Sequence, residues 1–570
     1  MALDYFAPGV YIEEVDRGSR PIEGVSLSVA GFVGFTEDIR GDAELFKPML
    51  VTNWVQYLEY FSKPGSPAPG FTDFDAYLPF AVQGWFDNGG GRCWVVSIGT
   101  RPPGSPAPAP EETATHLLSS GNKPSLRFNL KDTDGDIAAL PPSEGRITVE
   151  IREGEPKPLP DDAPDDAEPP FNTGEYFTAV VKSGDEELER YEHLTMNPET
   201  EAAVANYVVA ELERSEYVVL EDISQSGQPL SKRPANGRYE VAPPPYIGDP
   251  DRVSRDIQGV RDDRAGVEGL FEIDEVAMVA CPDILLAYQK GWLELDQVHA
   301  LMERLFTLCE NSAPGPAYRM AVIDAPPVKI GKNDNRAVLP EQQKPQDVAK
   351  WLSEFNRRSM FGAVYYPWIE VSNPRNGGRP LAVPPSGHMM GIWCRTDEAR
   401  GVFKAPANET PRGVIGLAYE TNMREQEMLN PQGINCIRNF ANYSRGYKVW
   451  GARTLVEPDN VQWRYISVRR LISYIEKSIE IGTQWVIFEP NDQDLWARVN
   501  RTVTTFLTRL WRDGALFGSS PAEAFYVKCD GDLNTHDTMM LGRLYVEVGV
   551  CPVRPAEFVI FRISQWAPNQ

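Results

Sequence analysis

The chain has 570 residues, 42% hydrophobic and 24% charged, and a net charge of −25. That length implies two to four domains with sizeable cores, and the acidic balance argues against a general nucleic-acid binder. No apolar run approaches the ~18 residues of a membrane span, the opening MALDYFAPGVYIEE lacks a secretory-signal pattern, and seven scattered cysteines without CxxC spacing read as reduced thiols.

Phe6 to Gly34 reads as extended. Pro8-Gly9 bars a helix start, Val10 and Ile12 alternate with Tyr11 and Glu13, and Gly18–Pro21 is a turn before a second strand, Val25–Phe35. An N-terminal strand of this kind has unpaired backbone groups and seeks an edge, in its own chain or in another. Thr52 is placed to cap a helix through Phe61, with Val55, Leu58 and Phe61 on one face. A second helix is expected over Asp73–Asn88, ended by Gly89–Gly91, and Cys93–Ile98 comes next as a buried strand.

Composition changes at Arg101. RPPGSPAPAP is a stiff proline-rich linker, and PKPLPDDAPDDAEPP (156–170) and APPPYIGDP (242–250) are two more proline-rich runs in the same region. Residues 101–264 hold 17 Lys+Arg against 33 Asp+Glu, a balance of −16, whereas residues 430–570 hold 16 against 14, or +2. The first stretch is read as an inserted acidic domain with strands at Arg146–Ile151 and Phe177–Val181 and a helix over Glu199–Ser215. An α/β pattern then resumes: strand Val276–Ala280, helix Leu293–Cys309, strand Met320–Asp324, helix Gln346–Arg358 and strand Ala363–Val371. Alternating elements of this kind build one layer together with residues 23–100. Toward the end, Trp463–Arg512 carries two amphipathic helical patterns, and Arg543–Val550 and Glu557–Gln565 read as strands.

Catalytic signals are weak. No GxxxxGK[ST] phosphate loop is present, and Gly31-Phe32-Val33-Gly34 lacks the three-glycine dinucleotide spacing. Asp134-Gly135-Asp136 and Asp530-Gly531-Asp532 read as ordinary turns, short of a calcium loop's ligands. Ser386-Gly387-His388 follows Pro384-Pro385 in what reads as an irregular loop, without the GxSxG elbow of a hydrolase, and His536-Asp537 is a lone adjacent pair. The expectation is no catalytic residue, no cofactor and no metal. The alternative reading is an α/β enzyme or nucleotide-binding protein using the 23–100/265–400 core.

The arginines are more informative. On a helix over Asp494–Arg512, Arg498, Arg501, Arg509 and Arg512 fall within an arc of about 80°, and Leu495, Val499, Val503, Phe506 and Leu510 occupy the neighbouring side. A row of guanidiniums in an acidic chain suits an acidic partner bound reversibly.

Several stretches resemble tail sheath proteins of contractile phage tails and related contractile injection systems. They are PGVYIEEVDRGSRPIEGVSLSVAGFVG (8–34), VPPSGHMMGIWCRTDEARGVFKAPANE (383–409), GINCIRNF (433–440), VWGARTL (449–455), YISVRRLISYIEKSIE (465–480), WVIFEPND (485–492) and FLTRLWRDGALFGSSPAEAFYVKCD (506–530). The resemblance implies a multidomain α/β and α+β fold: an N-terminal arm (1–22), a split α/β middle domain (23–100 and 265–409), a β-rich outer insertion (101–264), an inner α+β tube-facing domain (410–555) and a C-terminal arm (556–570). It implies a non-enzymatic subunit that polymerises as stacked six-membered rings in a helical sheath. Its partners would be copies of itself, an inner tube protein, and baseplate and terminal cap proteins, without nucleic-acid contact or direct membrane insertion. Arg498, Arg501, Arg509 and Arg512 would bind the tube. Strands around Val10, Tyr11 and Ile12 and around Phe558, Val559, Ile560 and Phe561 would cross to neighbouring subunits. Assembly is expected in the bacterial cytoplasm, within a phage tail or tail-like particle that is either released or membrane-anchored.

Overall fold

The computed structural model describes residues 22–105, 115–131, 147–158, 171, 173–184, 186–200, 203–225, 227–241, 248–310, 318–331, 335–440 and 446–562. The chain divides into two compact units, residues 99–252 and the remainder.

The larger unit is built on an eight-stranded sheet. Its order is Pro48–Val51, Arg92–Ser97, Val29–Gly34, Met278–Ala280, Met320–Asp324, Gly362–Tyr366, Ile434–Asn439 and Tyr447–Val449. Strands from both sides of residues 99–252 thus share one sheet, with Ala30 paired to Met278 and Phe32 to Ala280. The six inner strands are parallel and the two edge strands antiparallel. Val29–Gly34, Met278–Ala280, Met320–Asp324 and Gly362–Tyr366 are buried along their whole length. Central strands covered on both faces require this continuous apolar character, with no polar alternation. The sheet does not stop at residue 409: its last two strands lie within the stretch the sequence assigns to an inner domain. The expected single strand Ala363–Val371 is two, Gly362–Tyr366 in the main sheet and Ile369–Asn373 in a separate three-stranded sheet. Pro367 separates them, because it has no N–H to give the ladder.

Two helices against this sheet are capped at long range. Tyr77–Asp87 begins four residues later than the pattern suggests, and Ala76 offers no side-chain cap. The buried Asp283 supplies it: Tyr77 N donates to Asp283 Oδ1 at 2.6 Å, and Phe35 N donates to Oδ2 at 2.7 Å. The Pro384-Pro385-Ser386-Gly387-His388 stretch is not a loop. Ser386 opens the helix Ser386–Arg400, and its N–H donates to Asp324 Oδ1 at 2.9 Å. This helix is buried through its first nine residues and packs on Tyr77–Asp87 through glycines. A Cβ on Gly387 would stand 2.3 Å from the Ala81 carbonyl oxygen, and one on Gly391 2.6 Å from that of Trp85. The helix Trp54–Phe61 is capped by Asn53, whose side chain accepts from Gln56 N, and not by Thr52. Tyr57 and Phe61 are its buried residues, while Val55 faces solvent.

The end of the chain has a core of its own. The helices Ile466–Gly482 and Gln493–Arg512 and the hairpin Phe525–Lys528/Glu547–Val550 enclose Leu471, Ile475, Leu495, Val499, Phe506 and Phe525, and Ile22 joins them from the other end of the sequence. Residues 99–252 form a β-rich unit with a five-stranded and a three-stranded sheet around Phe128, Val149, Phe177 and Leu194. The helix expected over Glu199–Ser215 is only Val208–Leu212. Asn206-Tyr207 pairs instead with Leu194-Thr195, so local sheet pairing overrides the helical pattern there.

Candidate assembly interface

The arginine helix Gln493–Arg512 follows from its sequence. Asp492 caps it by accepting from Leu495 N at 2.8 Å, Asp494 lies in the first turn, and Arg509 and Arg512 lie in the last, which is the polarity the helix dipole favours. Leu495, Val499, Val503, Phe506 and Leu510 are buried, and Arg501, Arg509 and Arg512 are exposed. These three make no ion pair among the described residues. Arg498 is engaged: Nη2 lies 3.3 Å from Glu489 Oε2, and its guanidinium sits 5.4 Å over the Trp485 ring.

That contact folds the connecting loop back onto the arginine side. The loop carries Ile487 and Phe488, both exposed, and Phe488 has a left-handed backbone, φ +67°. Sequence periodicity carried no sign of this exposed pair, because an isolated apolar pair in a loop looks the same buried or bare.

The terminal segments separate into two cases. Val10, Tyr11 and Ile12 lie outside the described residues. Phe558, Val559, Ile560 and Phe561 are described and are 70–83% exposed. Residues 557–562 form no strand, contrary to the expected Glu557–Gln565 strand. An extended segment becomes a strand only when an edge receives its N–H and C=O groups, and the described chain provides none here. Immediately before it stands a bidentate anchor: Arg453 Nε donates to Glu557 Oε1 at 2.8 Å and Nη2 to Oε2. Tyr465 Oη donates to the same carboxylate at 3.3 Å, and Arg453 Nη1 also holds the Asn430 carbonyl at 3.0 Å. Nearby in sequence, Glu547–Val550 pairs only with Phe525–Lys528 among the described residues.

The helix Ile466–Gly482 docks through buried cations that the amphipathic pattern did not single out. Arg470 Nη1 meets Asp397 Oδ1 at 2.8 Å, with side-chain exposures of 4% and 8%, and its guanidinium lies 5.2 Å over Trp393. Arg469 sits between the rings of Phe361 (4.9 Å) and Trp463 (4.7 Å), and Lys477 Nζ donates to the Asp274 carbonyl at 2.8 Å. These contacts join the tail helices to the elements of the main sheet.

Asp283 and Asp324 lie at or just beyond the ends of parallel strands, where open α/β sheets commonly bind ligands. Burial pushes both carboxyls up to about 7. Both oxygens of Asp283, however, accept from backbone amides, and Asp324 Oδ1 accepts from the helix-opening Ser386 amide. Ser386 and His388 are buried inside the helix they begin, and burial pushes the His388 imidazole down to about 4. His536 and Asp537 start a short exposed helix, His536–Met540. Asp530 Oδ1 accepts from Asp532 N at 3.1 Å in a turn; Asp134–Asp136 lie outside the described residues.

Residues 321–455 match the phage tail sheath protein central domain, and residues 459–565 the phage tail sheath C-terminal domain. The chain is 26% identical over 228 residues to the tail sheath protein of Salmonella phage ViI, covering 39% of this chain and 34% of that protein. It is 29% identical over 171 residues to the tail sheath protein of Burkholderia phage BcepMu, covering 29% and 35%. These matches therefore span about a third of either relative's length. Its fold is similar to that of a solved sheath complex of an extracellular contractile injection system, PVC, in the contracted state (TM-score 0.53, 21% identity, 99% of both chains). It is also similar to the helical sheath of the anti-feeding prophage in the contracted state (TM-score 0.52, 22% identity, 98% and 99%).

Proposed function

We propose that the chain, whose residues 321–455 and 459–565 match the central and C-terminal domains of phage tail sheath proteins, is the repeating subunit of a contractile sheath, stacked as six-membered rings around an inner tube. Its work is mechanical. An extended lattice formed on assembly relaxes to one of lower energy and drives the tube through a target membrane. Baseplate and cap proteins would bound the lattice, and assembly would take place in the bacterial cytoplasm.

The observation that carries this reading is Phe558–Phe561: four consecutive large apolar residues left bare beyond an anchored Glu557. Such a segment is costly in water and suited to adding a strand to an edge of another copy. Glu547–Val550, paired on one side only among the described residues, is a fitting acceptor. In this reading the N-terminal segment with Val10, Tyr11 and Ile12 makes a second link of the same kind. Arg501, Arg509 and Arg512, with Arg498 beside them, face an acidic tube through contacts weak enough to exchange during contraction. The commitment of both Asp283 oxygens and of Asp324 Oδ1 to backbone amides favours a structural role for the α/β core over an enzymatic one.

Deleting residues 558–570 tests the link. The shortened protein should keep its thermal unfolding temperature yet fail to polymerise; long tubules from the deletion protein would refute strand exchange. Changing Arg498, Arg501, Arg509 and Arg512 to Glu should leave sheath polymers intact but uncouple them from tubes, and unchanged co-assembly would refute the tube assignment.

A further inference from the structure

We infer that Phe488 is an apolar knob that seats in a recess of the acidic tube partner and sets the register of the arginine stripe upon it. This rests on the tube-facing reading above and adds a residue that reading does not contain.

Three observations carry it. Phe488 is fully exposed (102%), and its neighbour Ile487 is 64% exposed. An isolated exposed aromatic is ordinary; this one is presented by a left-handed backbone at φ +67°, which a bulky residue rarely adopts. Gly or Asn at that position would relieve the conformation at no loss of packing among the described residues, where the side chain is fully exposed. The side chain therefore adds no packing among the described residues while its backbone carries strain, as expected of a group that serves a contact outside the subunit.

The loop is also held in a definite place. Glu489 pairs with Arg498 at 3.3 Å, and Trp485 lies under the same guanidinium. The knob thus stands at the Arg498 end of the stripe, and Arg512 lies about 21 Å further along the helix. The third observation is charge. Arg501, Arg509 and Arg512 make no ion pair among the described residues, so the face that continues from the knob is basic. Two copies of this face repel each other, whereas a carboxylate-bearing surface with an apolar recess complements it. Guanidiniums on acids tolerate sliding, because each finds another acid a few ångströms away. A ring in a recess does not, so the knob supplies the register that the stripe lacks.

The test compares Phe488→Ala, Phe488→Leu and the Arg501/Arg509/Arg512→Glu variant of the full chain. The probe is inner-tube polymer stripped of sheath from the same particles. Readouts are thermal unfolding, sheath polymerisation without tube, and binding to the stripped tubes. Phe488→Ala, which keeps the Cβ and so the backbone cost, should unfold at the wild-type temperature and polymerise normally. It should bind tubes about 10- to 100-fold more weakly per subunit, the scale of one buried aromatic side chain, and Phe488→Leu should recover part of that loss. Unchanged tube binding by Phe488→Ala, with binding lost in the arginine variant, overturns the knob and leaves the tube-facing reading standing. Unchanged binding by both overturns both. Loss of tube-free polymerisation by Phe488→Ala overturns the proposal by making a second copy of this chain the knob's partner, and a lowered unfolding temperature overturns it by giving the ring an internal role.

Discussion

Replacing Asp397 with Asn probes how the tail helices are tied to the main sheet. Arg470 and Asp397 are 4% and 8% exposed and form a bidentate pair, with the guanidinium against Trp393. Asn keeps the shape and removes the charge, so Arg470 remains buried with one weak acceptor and the Leu27 carbonyl at 3.4 Å. Breaking one side of such a pair costs about 3–5 kcal/mol. Arg470 sits early in the helix Ile466–Gly482, so the cost should fall on opening of that helix rather than on the separate β-rich unit. Native-state hydrogen exchange reads this without assuming a single global transition. Amides of 466–482 should exchange about 100- to 5,000-fold faster in D397N, while those of 177–183 stay unchanged. Replacing both partners by apolar residues, Arg470→Met with Asp397→Leu, should restore most of the protection, because a buried pair and an apolar contact of similar volume are often near equal. D397N protection within about threefold of wild type, far short of the loss a broken buried pair implies, would refute the view that this pair fixes the helix on the sheet.

Other consequences arise from the same geometry. Gly387→Ala places a Cβ against the Ala81 backbone and should cost about 1–3 kcal/mol by overpacking despite alanine's better helix propensity; an unchanged or raised urea midpoint would contradict the close helix contact. His388 is buried, with its pKa pushed down from 6.5 to about 4. Between those values the unfolded chain binds the proton and the folded chain does not, so stability is complete above pH 6.5 and lost as pH falls toward 4. His388→Leu should therefore lose about 2 kcal/mol less than wild type between about pH 7 and pH 5 in urea unfolding, and equal losses would refute a neutral buried imidazole. Glu557→Gln weakens the anchor of Arg453 and should raise protease cleavage at 554–562 without lowering the unfolding temperature of the main sheet; cleavage at the wild-type rate would show that the anchor does not hold the segment.

How much the sequence made legible depends on the range of the forces involved. Gln493–Arg512 was readable because its cap, its apolar face and its arginines lie within one helix, and periodicity reports such local order. Ser386–Arg400 was not: it is buried all around for nine residues, so no amphipathic period exists, and its cap is Asp324, 62 residues away. The shared sheet was legible in outline because buried parallel strands read as unbroken apolar runs, but its extension to Tyr447–Val449 was not, because its last two strands are only partly buried. Buried Arg469 and Arg470 look like any solvated charges until Trp393, Phe361 and Asp397 are seen around them. The Phe558–Phe561 segment reads as a strand, and in the single chain it is not one, because no edge among the described residues receives it.

The central claim is polymerisation into a hollow helical sheath. Electron microscopy of the purified full-length protein tests it most directly. Striated hollow tubules with six-fold rings are expected, abolished by deletion of residues 558–570. Discrete particles of fixed small size at every protein and salt concentration tried would contradict it.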